Sequence, residues 1–138
     1  MKIVTFGDST TAPRGKLKTY SDCLREDLSA KGVAVEVVNA GIGGNTTRMA
    51  LARFQTDVLD RKPDLVVIQF GINDSCVDVW RKPPATGPRV PRDEYVKNLE
   101  KMAATLQERG CRVILMTPNL LRWTPRLKTL YGQPPYDP

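Results

Sequence analysis

Four short apolar runs, Ile3–Phe6, Val33–Val38, Leu65–Phe70 and Arg112–Met116, recur along the chain with helix-length segments between them. Each run is rich in β-branched residues and too short for a buried helix, so each reads as a strand. Between the first two, Tyr20, Leu24 and Leu28 repeat at helical spacing, with Thr19 or Ser21 to cap the start and Gly32 to close the end. A second helix is expected from an Asn45 cap to about Asp60, with Met49, Ala52 and Leu59 turned inward. The third is expected from Asp93 to Arg109, where Tyr95, Leu99, Met102, Ala103 and Leu106 form one stripe, acids open it and Gly110 ends it. Strands alternating with helices imply an α/β fold: a parallel sheet, right-handed crossovers and helices on both faces. The near-continuous apolarity of Leu65–Phe70 marks a central strand covered on both sides. Residues 76–91, with Pro83, Pro84, Gly87, Pro88 and Pro91, read as a surface loop near the strand ends.

The 138 residues fit one domain, with a core over 2–116 and a loop-rich tail over 117–138. A hydrophobic fraction of 41% with 26% charged residues is that of a soluble globular protein. No apolar run approaches the roughly 20 residues of a membrane helix, and no secretory pattern opens the chain. The expectation is therefore a cytoplasmic protein without a membrane partner. The net charge of +6 comes from scattered groups: Arg14, Lys16 and Lys18; Arg81, Lys82, Arg89 and Arg92; Arg122, Arg126 and Lys128. No helix carries a continuous basic face, so a solvated surface is expected rather than a nucleic-acid partner. Cys23, Cys76 and Cys111 lack metal-ligand spacing; Cys23 and Cys111 are expected as buried small hydrophobes, and no metal or cofactor is expected. The chain contains no histidine.

Three strands run into polar, glycine-bearing segments: Gly7-Asp8-Ser9, Gly43-Gly44-Asn45-Thr46 and Gly71-Ile72-Asn73-Asp74. In a parallel sheet these ends share one edge, where open α/β folds place ligands. Ser9 would supply a nucleophilic oxygen. The N–H groups of Ser9 and Gly44 and the side-chain amide of Asn73 are donors suited to the oxyanion of a tetrahedral intermediate. Glycine at 44 keeps a side chain from crowding the carbonyl, and asparagine at 73 donates without bringing a charge.

On these residues the sequence resembles the SGNH or GDSL hydrolases, a family of esterases, lipases and carbohydrate acetylesterases. Its first block matches Phe6-Gly7-Asp8-Ser9, its second Asn39-Ala40-Gly41-Ile42-Gly43-Gly44-Asn45-Thr46, and its third Phe70-Gly71-Ile72-Asn73-Asp74. The resemblance covers residues 2–116. It implies a flavodoxin-like three-layer α/β/α fold, Ser9 as nucleophile, an oxyanion hole of Ser9, Gly44 and Asn73, and loop-bracing roles for Asp8 and Asp74. The family's last block, Asp-x-x-His, has no match: Asp137 is not followed by a histidine. A serine hydroxyl near neutral pH is a poor nucleophile without a base, so little turnover is expected of these residues alone. The resemblance thus implies the amino-terminal portion of a longer hydrolase, its sheet incomplete at the C-terminal end, with an open edge at the fourth strand that invites self-association. No lipase-lid-like apolar stretch is present, which favours short, acetyl-like esters. Trp80 and Trp123, with Tyr131, follow the third and fourth strands and are candidates for stacking on a sugar.

Two other readings fit the same strand ends. One is a non-catalytic module for a small ligand or carbohydrate. The other is a phosphate-binding flavodoxin-like domain using Gly41–Thr47 before a helix N-terminus; this stretch lacks the P-loop lysine and the Gly-x-Gly-x-x-Gly spacing.

Overall fold

The computed structural model describes residues 1–119 and Pro125. Trp123, Tyr131 and Asp137, with Arg122, Arg126 and Lys128, lie outside the described residues. The strands are β1 (Lys2–Gly7), β2 (Glu36–Gly41), β3 (Leu65–Gln69) and β4 (Arg112–Leu115), all parallel in the order β2-β1-β3-β4. The helices are α1 (Tyr20–Ala30), α2 (Thr47–Asp57) and α3 (Arg92–Glu108).

Alternation along the strands divides the apolar side chains between two faces. Val4, Phe6, Val66 and Ile68 pack with Ala50 and Phe54 of α2 and Met102 and Leu106 of α3. Ile3, Val37 and Val67 pack with Tyr20, Leu24 and Leu28 of α1 on the other side. The result is the expected three-layer α/β/α arrangement. None of the described helices is long and apolar enough to cross a membrane.

Several local expectations change. β2 begins at Glu36, because pairing starts at Lys2↔Glu36, and Val33 instead closes α1 by donating to the Leu28 carbonyl. The strand then runs through Asn39, Ala40 and Gly41, expected as loop, because Thr5–Gly7 pair with them. Thr19 caps α1 in a reciprocal box with Asp22, while Ser21 is buried and shares a hydrogen bond with Thr5, 2.7 Å between oxygens. Thr46, not Asn45, caps α2. Ala50 and Phe54 face the core; Met49 and Ala52 are exposed, because the helix packs through the Ala50–Phe54 stripe. Cys23 is also exposed, on the outer side of α1, whereas Cys111 is buried. Among the described residues β4 pairs only with β3, and its Ile114 and Leu115 are 49% and 54% exposed.

Candidate active site

β1 and β3 are neighbours, yet the chain leaves them towards opposite faces, from β1 to α1 and from β3 to α3. At such a switch point the departing loops separate and leave a crevice at the carboxyl ends of the strands. Ser9 lies in the first loop and Asn73 in the second.

The Ser9 loop is a tight turn. The Asp8 carbonyl accepts from the N–H groups of Thr11 (3.1 Å) and Ala12 (2.9 Å), and the Asp8 carboxylate accepts from the Thr10 N–H (2.9 Å). The Thr10 hydroxyl lies 2.9 Å from Asp8 Oδ1 and 2.8 Å from Gln69 Oε1 and shares its one proton between them. Arg14 donates through Nε to the Ser9 carbonyl at 2.8 Å. The Ser9 side chain is left exposed at the head of the turn.

The end of β2 presses against this loop. A Cβ on Gly41 would stand 2.3 Å from the Ala12 nitrogen, a backbone-to-backbone approach that only glycine permits. Asn39 Nδ2 donates to the Thr11 carbonyl at 2.7 Å. A Cβ at Gly43 would lie 3.8 Å from Ser9 Cβ, so the second block sits beside the serine. At Gly44 the space for a Cβ is open, and glycine is required by its φ of +76° instead of by crowding within the chain.

Asn73 joins all three segments. Its Nδ2 donates to the Asn45 carbonyl, beside Gly44, at 3.1 Å, and reaches Asp8 Oδ2, beside Ser9, at 3.4 Å. The second bond is longer than an ordinary N–H···O contact. That proton is therefore the one most easily redirected to a developing oxyanion.

Asp74 faces the protein interior. Its Oδ1 accepts from the Thr47 N–H (2.8 Å) and hydroxyl (2.5 Å) at the first turn of α2, where a negative group suits the exposed N–H groups. Asn98 of α3 then donates to the Thr47 hydroxyl at 3.0 Å. Asp74 Oδ2 is buried and has no partner among the described residues.

Burial pushes the Asp74 carboxyl up from its ordinary 3.8, against the hydrogen bonds from Thr47 that pull it down. Between its unfolded and its folded value, folded Asp74 therefore holds a proton that the unfolded chain has released. Its stabilising contribution is complete below the unfolded value and is lost as pH rises through the folded one. Asp74→Asn removes this titration. We expect thermal melts to show the variant gaining on wild type as pH is raised from the ordinary carboxylate range towards neutrality. A difference that is flat with pH would contradict this. Asp78, held low by Arg89 and Arg81, has the opposite sign: its contribution is lost as pH falls.

Trp80 is 55% exposed on the loop at 76–91, with the Arg89 guanidinium 5.9 Å from its ring centroid. A cleft of about 440 Å³, lined by Thr46, Arg48, Asp78, Arg81 and Arg89 among others, separates that loop from the start of α2. A larger hollow of about 680 Å³ lies at the amino ends of the strands, beside Met1, Lys62, Asp64 and Arg112, away from Ser9.

Sequence reasoning missed Arg14, Gln69 and Arg53. Gln69 left a signal as a polar residue in an apolar strand. It is 3% exposed, accepts from the Thr10 hydroxyl, and donates to the Thr117 carbonyl at 3.4 Å. Arg53 also left one, lying beside Phe54 within the inward-facing stripe of α2.

Residues 5–136 match the model of the GDSL-like Lipase/Acylhydrolase family. The chain belongs to this family. The GDSL-family chain is 40% identical over 89 residues to an acetylxylan esterase of Geobacillus stearothermophilus, covering 62% of this chain and 39% of that protein. It is 31% identical over 138 residues to an arylesterase of Vibrio mimicus, covering 99% of this chain and 62% of the relative. A solved lipase/acylhydrolase from Enterococcus faecalis superposes with a TM-score of 0.72 at 36% identity, over 88% of this chain and 58% of that one. The chain thus spans about 40–60% of the length of these relatives.

Proposed function

We propose that this GDSL-family chain carries the nucleophile and oxyanion hole of a serine ester hydrolase acting on short, acetyl-like esters, with acetylated carbohydrate as the substrate class. Ser9 Oγ attacks the ester carbonyl carbon and its proton passes to a base. The Ser9 and Gly44 N–H groups and Asn73 Nδ2 hold the oxyanion, and the carbonyl re-forms as the alcohol leaves with a proton. Water then releases the acyl group from Ser9. The observation that carries the reading is Asn73 bonding at once to the neighbours of Gly44 and Ser9. The carbohydrate ester is supported by the acetylxylan esterase relative and by the exposed Trp80 ring, a surface on which a sugar can stack. Solved acetylxylan esterases of Geobacillus stearothermophilus include catalytic mutants in which a serine, an aspartate or a histidine is replaced by alanine.

These 138 residues contain no histidine, so within them no imidazole takes the Ser9 proton or activates water. Exposed to 4-nitrophenyl acetate, they should acetylate slowly and deacetylate more slowly still, so that the adduct accumulates. Peptide mass spectrometry should find the acetyl group on Ser9, with none retained there in Ser9→Ala. Modification only of lysines, or a folded chain with Ser9 unmodified, would overturn the proposal.

A further inference from the structure

Arg53 bonds to four acceptors near the strand ends, and its side chain is only 14% exposed. A guanidinium in such a place is costly unless its donors are used. Here Nε donates to Asn45 Oδ1 (2.8 Å), Nη1 to the Ala40 carbonyl and to Asp57 Oδ2 (2.8 Å each), and Nη2 to the Gly7 carbonyl (3.1 Å). Its Cζ lies over the Phe6 ring, 4.4 Å from the centroid.

The three acceptors outside α2 belong to separate pieces of the site. Gly7 ends β1, two residues before Ser9. Ala40 lies near the end of β2. Asn45 follows Gly44, and its carbonyl receives the Asn73 amide. One rigid, planar cation therefore fixes the spacing of the nucleophile loop, the Gly44 turn and, through Asn45, the Asn73 side chain. A lysine cannot do the same: its donors radiate from one point, while the fork reaches three directions in one plane.

We propose that Arg53 is the positioning residue that sets the distance between the Ser9 nucleophile and its oxyanion donors. This rests on the reading of Ser9 as nucleophile. Arg53 acts from beneath the rim through backbone and Asn45, so its loss changes alignment and not affinity.

The test compares wild type, Arg53→Met and Arg53→Lys in two measurements. Arg53→Met keeps an unbranched side chain against Phe6 and removes every donor. In the first, Ser9 acetylation is followed against 4-nitrophenyl acetate concentration. Arg53→Met should lower the limiting rate about 10–100-fold with an unchanged half-saturation concentration, the scale of effect expected for misplacement of roughly 1 Å. Arg53→Lys should recover only part of it. A raised half-saturation concentration at an unchanged limiting rate, or full recovery by lysine, would overturn the proposal.

The second measurement, amide hydrogen exchange, does not require ester chemistry. Arg53→Met should accelerate exchange in residues 7–12 and 40–47 while leaving β4 and α3 at wild-type rates. Unchanged exchange in both loops, or an equal rise across α3 and β4, overturns the positioning role even if Ser9 proves not to be the nucleophile. An unacetylated wild type with the expected exchange pattern would instead sink the hydrolase reading alone and leave the clamp standing.

Discussion

Asn73→Ala should slow acetylation of Ser9 by 4-nitrophenyl acetate about 10²–10³-fold, or about 2.7–4 kcal/mol of transition-state stabilisation, the usual cost of removing one oxyanion donor. The basis is the unequal pair of bonds at Nδ2. The 3.1 Å bond to Asn45 holds the side chain in place, and the 3.4 Å approach to Asp8 leaves the other proton weakly engaged. A negatively charged oxygen over Ser9 competes for that proton by offering a short, charge-assisted bond in place of the long approach to the Asp8 carboxylate. Asn73→Asp should be at least as slow, since it replaces a donor with a negative charge that repels the oxyanion. Both rates are to be read beside thermal melts of the same variants. A normal acetylation rate in folded Asn73→Ala would remove Asn73 from the chemistry.

The second large effect is on stability. Phe6 is fully buried between the rings of Phe54, 5.9 Å away and tilted, and Phe70, 5.2 Å away and edge-on, with Arg53 across its face. Phe6→Ala removes the transfer free energy of the ring and leaves a cavity in a strand paired on both sides, which cannot easily collapse. The expected loss is about 3–5 kcal/mol, a large part of the ~5–15 kcal/mol available to a domain. Chemical denaturation followed by tryptophan fluorescence or circular dichroism should show a much lower midpoint or no cooperative transition. Val96→Ala on exposed α3 surface should change stability by no more than about 0.5 kcal/mol. Comparable losses for the two would mean that the centre of the core has been misplaced. Because Phe6 also carries Arg53, Phe6→Ala should lose Ser9 acetylation before it has fully unfolded.

The alternation of strands and helices, the parallel sheet and the polar block at each strand end are legible in the residues alone. Those signals are local: side-chain period, β-branching, turn residues and caps act within a few residues of one another. They were enough to nominate Ser9, Gly44 and Asn73, because parallel strands must deliver their carboxyl ends to one edge. Tertiary structure decided what depends on the neighbour. Pairing with Lys2–Gly7 moved β2 three residues along, and packing of Ala50 and Phe54 against the sheet turned Met49 and Ala52 of α2 outward and Arg53 inward. The order β2-β1-β3-β4 set the Ser9 and Asn73 loops at the carboxyl ends of neighbouring strands, and gave Gln69 and Arg53 partners far away in the chain. A buried polar side chain finds its partners only after the backbone has chosen a register. Its type is written in the sequence, but its work is settled by long-range pairing.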